Sequence, residues 1–185
     1  MPKNAASKTI DKLPKVLSGI SKLTLNATFV GVPSEKTTRE QLQQEKGPMT
    51  NAALAFIHDN GSEAAHIPAR PFMRPGIKRA QKYIVEALKQ GAKAALKGTD
   101  PVRFLNLAGM KAQAEIRGVI NEGIGPPLAD STLWQRIRQR KSIKGAKTEL
   151  KARANGEAPS LDNAKPLIAT AQMRNAINYV IRRNK

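Results

Sequence analysis

Two histidines, His58 and His66, bracket Asp59 and Glu63. These side chains are of the types that hold metal ions or exchange protons near neutral pH. A turn between them could bring the two imidazoles close. The helical His-Glu-x-x-His register is missing, however, and nothing else supplies a third ligand. The sequence therefore predicts hydrogen-bonded turn histidines, with an interface as their other role. Asp11, Glu35, Glu86 and Asp162 are scattered carboxylates without a visible partner. Gly47-Pro48 and Gly123-Ile124-Gly125 read as turns, because no strand and helix flank them as a phosphate loop needs. Zero cysteines exclude disulfides, thiolate nucleophiles and thiolate metal sites. No catalysis, metal or cofactor is expected.

The elements that position these residues are set by proline. An apolar run, Phe56-Ile57-His58, stops at Asp59-Asn60-Gly61, and after a short polar gap the chain reads His66-Ile67-Pro68-Ala69-Arg70-Pro71-Phe72-Met73-Arg74-Pro75-Gly76. Pro68 and Pro71 push Ile67 and Arg70 towards extended backbone, and Pro75 suits the first turn of a helix. Arg70 is a candidate for a bidentate hydrogen bond to a carboxylate or carbonyl, and Phe72 for an apolar plug, within the fold or across a subunit boundary. Ile67, Pro68 and Arg74 complete the arm's candidate interface residues. Trp134, the single tryptophan, either anchors a short helix on the domain or meets a second subunit.

This arm resembles the neck and tail-completion proteins of long-tailed bacteriophages, in which a His-acidic-polar-Gly stretch followed by Ile-Pro-Ala-Arg-Pro-Phe is the most recognisable block. Ile120-Asn121-Glu122-Gly123-Ile124-Gly125-Pro126-Pro127-Leu128-Ala129-Asp130-Ser131-Thr132-Leu133 is similar to the family's second block, and Lys165 to Ile177 to its third. The likeness spans Phe56 to Arg182. There is one departure. Similar proteins commonly carry Asp-Thr-Gly before the last helix, where this chain has Ala169-Thr170-Ala171, and alanine resists the positive φ that glycine allows.

The resemblance implies a structural virion protein whose copies form a ring at the head-tail junction. Such a ring joins the capsid connector to the tail and lines the path by which the genome leaves. The implied partners are other copies of the chain, portal or head-completion proteins, and tail terminator or tail tube proteins, with non-specific contact to viral DNA and no membrane. The implied location is the virion, reached from the bacterial host cytoplasm. Heterologous ring contacts need two different surfaces per subunit, and a proline-stiffened arm supplies one.

Composition bounds the alternatives. At 185 residues with 40% hydrophobic content the chain can bury one core, and with 4% aromatics that core rests on Leu, Ile, Val and Ala. The absence of cysteine fits a reducing cytoplasm. No apolar stretch approaches the roughly 20 residues that cross a bilayer, and Met1 to Lys15 has no signal-peptide core. The formal charge of +18 attracts polyanions and acidic protein surfaces. It is concentrated from Arg136 to Arg153, where eight basic residues face one acid, Glu149. That run reads as solvated, as docked on an acidic neighbour, or as a phosphate contact. The competing function is a basic, sequence-independent nucleic-acid-binding protein. Against it, the sequence has no zinc spacing and no aromatics interleaved with the basic run.

The expected fold class is α+β, a small antiparallel sheet packed against two or more helices, with long protruding loops. Residues 1–22 form a basic N-terminal segment with a helix after Pro14, and 23–185 a single domain. Leu23 to Val32 alternates as a strand with Leu23, Leu25, Ala27 and Phe29 inward, and Pro33 to Pro48 reads as a long surface loop. Asn51 to His58 is open between helix and strand, its alanines favouring helix. Helical periodicity marks Pro75 to Lys97, with Ile77, Ala80, Ile84, Leu88 and Ala95 on one stripe. A second helix follows Thr99-Asp100-Pro101, with Val102, Leu105, Ala108, Ala112, Ile116, Val119 and Ile120 recurring until Gly123. Gly109 and Gly118 inside it point to close approach by a neighbour. Asp130 or Ser131 caps a short helix, about 138–165 is a flexible basic insertion, Thr170 caps a helix to Ala176, and Ile177 to Arg182 closes the sheet.

Overall fold

The computed structural model describes residues 12–33 and 50–183. Residues 34–48 of the predicted loop and residues 1–11 of the basic N-terminal segment lie outside them. In chain order the elements are α1 (Leu13–Leu25), β1 (Asn26–Gly31), α2 (Asn51–Asn60), α3 (Met73–Leu96), α4 (Val102–Glu122), α5 (Asp130–Arg138), α6 (Ile143–Ala154), α7 (Gln172–Ala176) and β2 (Asn178–Arg183). β1 and β2 form a two-stranded antiparallel sheet packed against helices, an α+β fold. The chain divides into two compact units, and α3 and α4 contribute residues to both. No helix among the described residues is long and apolar enough to cross a membrane.

The first unit holds α1, most of β1, Arg79–Ala114 and the strand residues from Tyr179. Pro14 occupies the first turn of α1, where its missing N–H is no loss. The helix runs further than the strand-like alternation suggests. Asn26 Nδ2 donates to Lys22 O at 2.6 Å, so a side chain satisfies one of its last carbonyls. Leu23 and Leu25 are thus helical, and the strand's own alternation starts at Asn26. This corrects the predicted inward face: Thr28 Oγ1 reaches Leu105 O at 3.4 Å, while Phe29 is 53% exposed. Gly109 on α4 receives the β2 side of the sheet, since a Cβ there would lie 2.4 Å from Tyr179 Cδ2. Gly118, by contrast, faces open space.

The second unit holds Gly31–Lys78 and Glu115–Asn178. Thr50 caps α2 by accepting from Ala53 N at 3.1 Å, which settles Asn51 to His58 as helix. On α4 the predicted periodic residues Ile116, Val119 and Ile120 are buried. A separate apolar cluster of Leu128, Leu133, Ala146 and Ala164, flanked by Ile137 and Leu150, packs α5 against α6. The stretch predicted as a flexible insertion therefore contains a packed helix. Two predicted caps are also replaced. Ala129 precedes α5 and Ala171 precedes α7, neither with a side-chain capping bond, and Asp130 is instead the first residue of α5.

Candidate functional site

Asp59 stands in the last turn of α2 and turns its carboxylate onto the start of α3. Its Oδ1 accepts from Phe72 N at 2.7 Å and Met73 N at 3.0 Å, filling two donors that a helix start leaves open. Asp59 is therefore a cap. Between α2 and α3 the chain makes a tight hairpin: Gly61 at φ +81 leaves the helix, Ser62 and Ile67 pair across it, and His66 sits at φ +51. Among the described residues no group of three His, Asp or Glu side chains could hold a metal ion.

The arm then runs inward. Phe72 is 0% exposed and Arg70 6% exposed. Arg70 makes the bidentate contact its type suggests, with Nε at 3.3 Å and Nη2 at 2.9 Å from the single oxygen of Pro126. Both residues thus serve the fold of their own chain. Of the other interface candidates, Pro68 and Arg74 are exposed, Ile67 is half-buried and Trp134 is 55% exposed. Leu133, fully buried beside it, is the anchor of α5.

Arg70 has a neighbour that the sequence hid. Arg136 on α5 is 8% exposed, and its Nη1 donates to Lys165 O at 3.0 Å. Burial depresses the pKa of both guanidiniums, and for Arg136 the positive charge of Arg70 adds to the effect. Both groups stay charged, since arginine begins so high. They line an open cavity of about 640 Å³ together with Lys141, His58, His66, Ser131 and Thr132 and a rim of apolar residues. No Asp or Glu is among the described residues that line it.

All three sequence blocks contribute to this cavity: Ile67 and Arg70 from the first, Leu128 and Thr132 from the second, Pro166 and Met173 from the third. They are also tied directly. Lys165 Nζ donates to Asn121 O at 2.7 Å and Arg174 Nη1 to Asn121 Oδ1 at 2.9 Å. Arg117 Nη2 donates to Asn175 O and Ile177 O, holding the chain that leaves α7.

The second buried charge of this unit lies on α6. Glu149, 1% exposed, accepts at Oε1 from Arg153 Nη2 and from Ser160 N, both at 2.8 Å, and at Oε2 from Asn163 Nδ2 at 3.1 Å. Burial pushes its carboxyl up, but the bonds from Ser160, Arg153 and Asn163 and the charge of Arg153 outweigh that and leave it below the ordinary value. Arg153 also pairs with Asp130. No sequence signal separates Arg136 or Glu149 from the solvated charges around them.

No family model matches this chain, and neither does any curated protein or solved structure.

Proposed function

We propose that this chain is a structural virion protein of a long-tailed bacteriophage, assembling as a ring at the head-tail junction between the capsid connector and the tail. The observation that carries the reading is the convergence of the three family-like blocks. They lie far apart in sequence, yet Arg70 joins the first to the second through Pro126, and Lys165 and Arg174 join the third to the second through Asn121. A likeness spread over three segments gains weight when those segments build one substructure. The function is assembly, without bond chemistry. Exposed Pro68, Arg74 and Trp134 replace Arg70 and Phe72 as the residues to test at subunit contacts.

Mass spectrometry or immunoblotting of particles purified from a culture of the strain that encodes the chain tests the reading. The chain is expected in tailed particles, and particle reconstruction is expected to place it at the head-tail junction. Its absence from such particles overturns the proposal. Native mass at moderate salt, with and without DNA, tests the rival: a monomer that binds DNA and is missing from particles is a nucleic-acid-binding protein.

A further inference from the structure

We propose that the open cavity around Arg70 and Arg136 is a binding site for a carboxylate carried on an acidic peptide segment of a partner protein. The inference stands on the cavity alone and does not depend on the virion assignment. Two like charges, each more than nine-tenths buried, face the same space with only neutral carbonyls as partners among the described residues. That arrangement is costly, because carbonyl oxygens return only part of the solvation a guanidinium loses and the two cations repel. A carboxylate placed between them relieves both costs. The carbonyls occupy Nε and Nη2 of Arg70 and Nη1 of Arg136. The remaining N–H groups of the two forks are the donors a carboxylate takes.

The rest of the lining agrees in sign. Lys141 adds a third cation, Ser131 and Thr132 add hydroxyls, and no acid is present among the described lining residues. α5 begins beside them at Ala129 without a side-chain cap, and open N–H groups at a helix start favour an anion. The occupant's chemistry follows from what surrounds the charge. Leu54, Ile67, Leu128, Leu167 and Met173 also line the cavity, so the carboxylate's neighbours must be apolar. A peptide provides such neighbours. A duplex does not, and its phosphates cannot follow a recessed guanidinium into a concave site. The volume of about 640 Å³ suits a few side chains.

Backbone strain marks the same place. Among the described residues the non-glycine positions with positive φ are His66, Arg140, Ser142, Leu167 and Ala171. His66 and Leu167 line the cavity, and the other three adjoin its lining residues Lys141 and Thr170. Strained backbone of this kind gathers at binding sites.

The test is fluorescence anisotropy of the full chain with a labelled peptide of alternating Leu and Glu, at about 150 mM salt to suppress general attraction to a basic protein. Arg136→Gln is expected to weaken binding about tenfold, the loss of one charge-assisted contact. Thr132→Glu keeps both arginines and sets a carboxylate one helical turn before Arg136. It is expected to weaken the peptide equally while raising the melting temperature. Lys144→Gln/Lys147→Gln, on the exposed side of α6, is expected to change affinity less than about twofold. The proposal is overturned if Arg136→Gln and Thr132→Glu behave like the lysine variant. It is also overturned if a charge-matched single-stranded oligonucleotide displaces the peptide in an Arg136-dependent manner, which makes the site one for phosphate.

Discussion

Two buried charge clusters lie in the second unit, and they are built on opposite terms. Around Glu149 the signs alternate: the carboxylate holds Arg153, Arg153 also holds Asp130, and the remaining acceptor capacity is filled by Ser160 N and Asn163 Nδ2. Around the cavity the signs repeat. Arg70 and Arg136 lie near each other, each anchored on a carbonyl, with no acid among the described lining residues. A neutralised network closes a fold on itself, since every charge is already answered. A like-charged pair leaves an electrostatic deficit that an external group can fill.

The largest effect should come from breaking the closed cluster. Glu149→Gln removes a buried carboxylate and turns one of its acceptor atoms into a donor facing Arg153, Ser160 or Asn163, while Arg153 keeps Asp130; leaving a buried group unsatisfied costs about 1–3 kcal/mol. Urea denaturation measures it, and a loss below about 1 kcal/mol would erase the distinction between the clusters. The same variant has a pH signature. An unfolded glutamate titrates near 4.5 and the folded Glu149 below that. Its stabilisation is therefore complete above about 4.5 and disappears as pH falls through the folded value. Glu149→Gln is expected to flatten the acid limb of stability against pH by that contribution.

Gly145→Ala comes next. A Cβ at Gly145 would overlap Asn163 O, and this backbone can yield only by moving Asn163 away from Glu149. Overpacking of this kind costs about 1–3 kcal/mol, less the roughly 1 kcal/mol that alanine returns in helix propensity. If the loss vanishes in the Glu149→Gln background, the glycine acts through the network. If it persists, the crossing of the chain over α6 matters in its own right.

Neither cluster was legible in the sequence, although the frame that carries them was. Leu105, Ala108, Ala112, Ile116, Val119 and Ile120 declare α4 by spacing alone, and all six are buried. Such a stripe depends on one helix and its own period. Residues 138–165 failed because Lys, Ala, Gly and Asn read as solvated chain. What folds them is the packing of Ala146, Leu150 and Ala164 against the α5 side, together with one buried acid, Glu149, whose partners Arg153, Ser160 and Asn163 follow it in the chain, and no local pattern reports either. Arg136 sits among eight basic residues of the same types, so its burial could not be told from its neighbours' exposure. The inward turn of Arg70 and Phe72 was left open between chain and partner for the same reason. The arm's prolines set its path but not what it meets.

Ala171→Gly sharpens the comparison at the cavity's edge. Ala171 holds φ +55 beside Thr170, which lines the cavity, and glycine relieves a left-handed alanine of about 1 kcal/mol. Thermal unfolding is expected to show a gain of that order. A loss instead would mean that the added chain entropy of glycine outweighs the strain, and that the turn is relaxed as it stands.

The smallest expected change is the most discriminating. Arg136→Met keeps the stem that packs on α5 and removes a desolvated charge that faces Arg70 across the cavity. It also leaves Lys165 O without its donor, a loss of about 1 kcal/mol. The relief of burying one cation fewer is of similar size, because replacing a buried charge by an apolar side chain is often neutral or stabilising. Stability should therefore move by less than about 1 kcal/mol in either direction, against the larger loss at Glu149. Both residues are buried, so the difference reports the answered charge and filled hydrogen bonds at Glu149 against the unanswered charge at Arg136. If Arg136→Met destabilises as strongly as Glu149→Gln, the arginine pair is structural and the cavity has nothing left to offer a carboxylate.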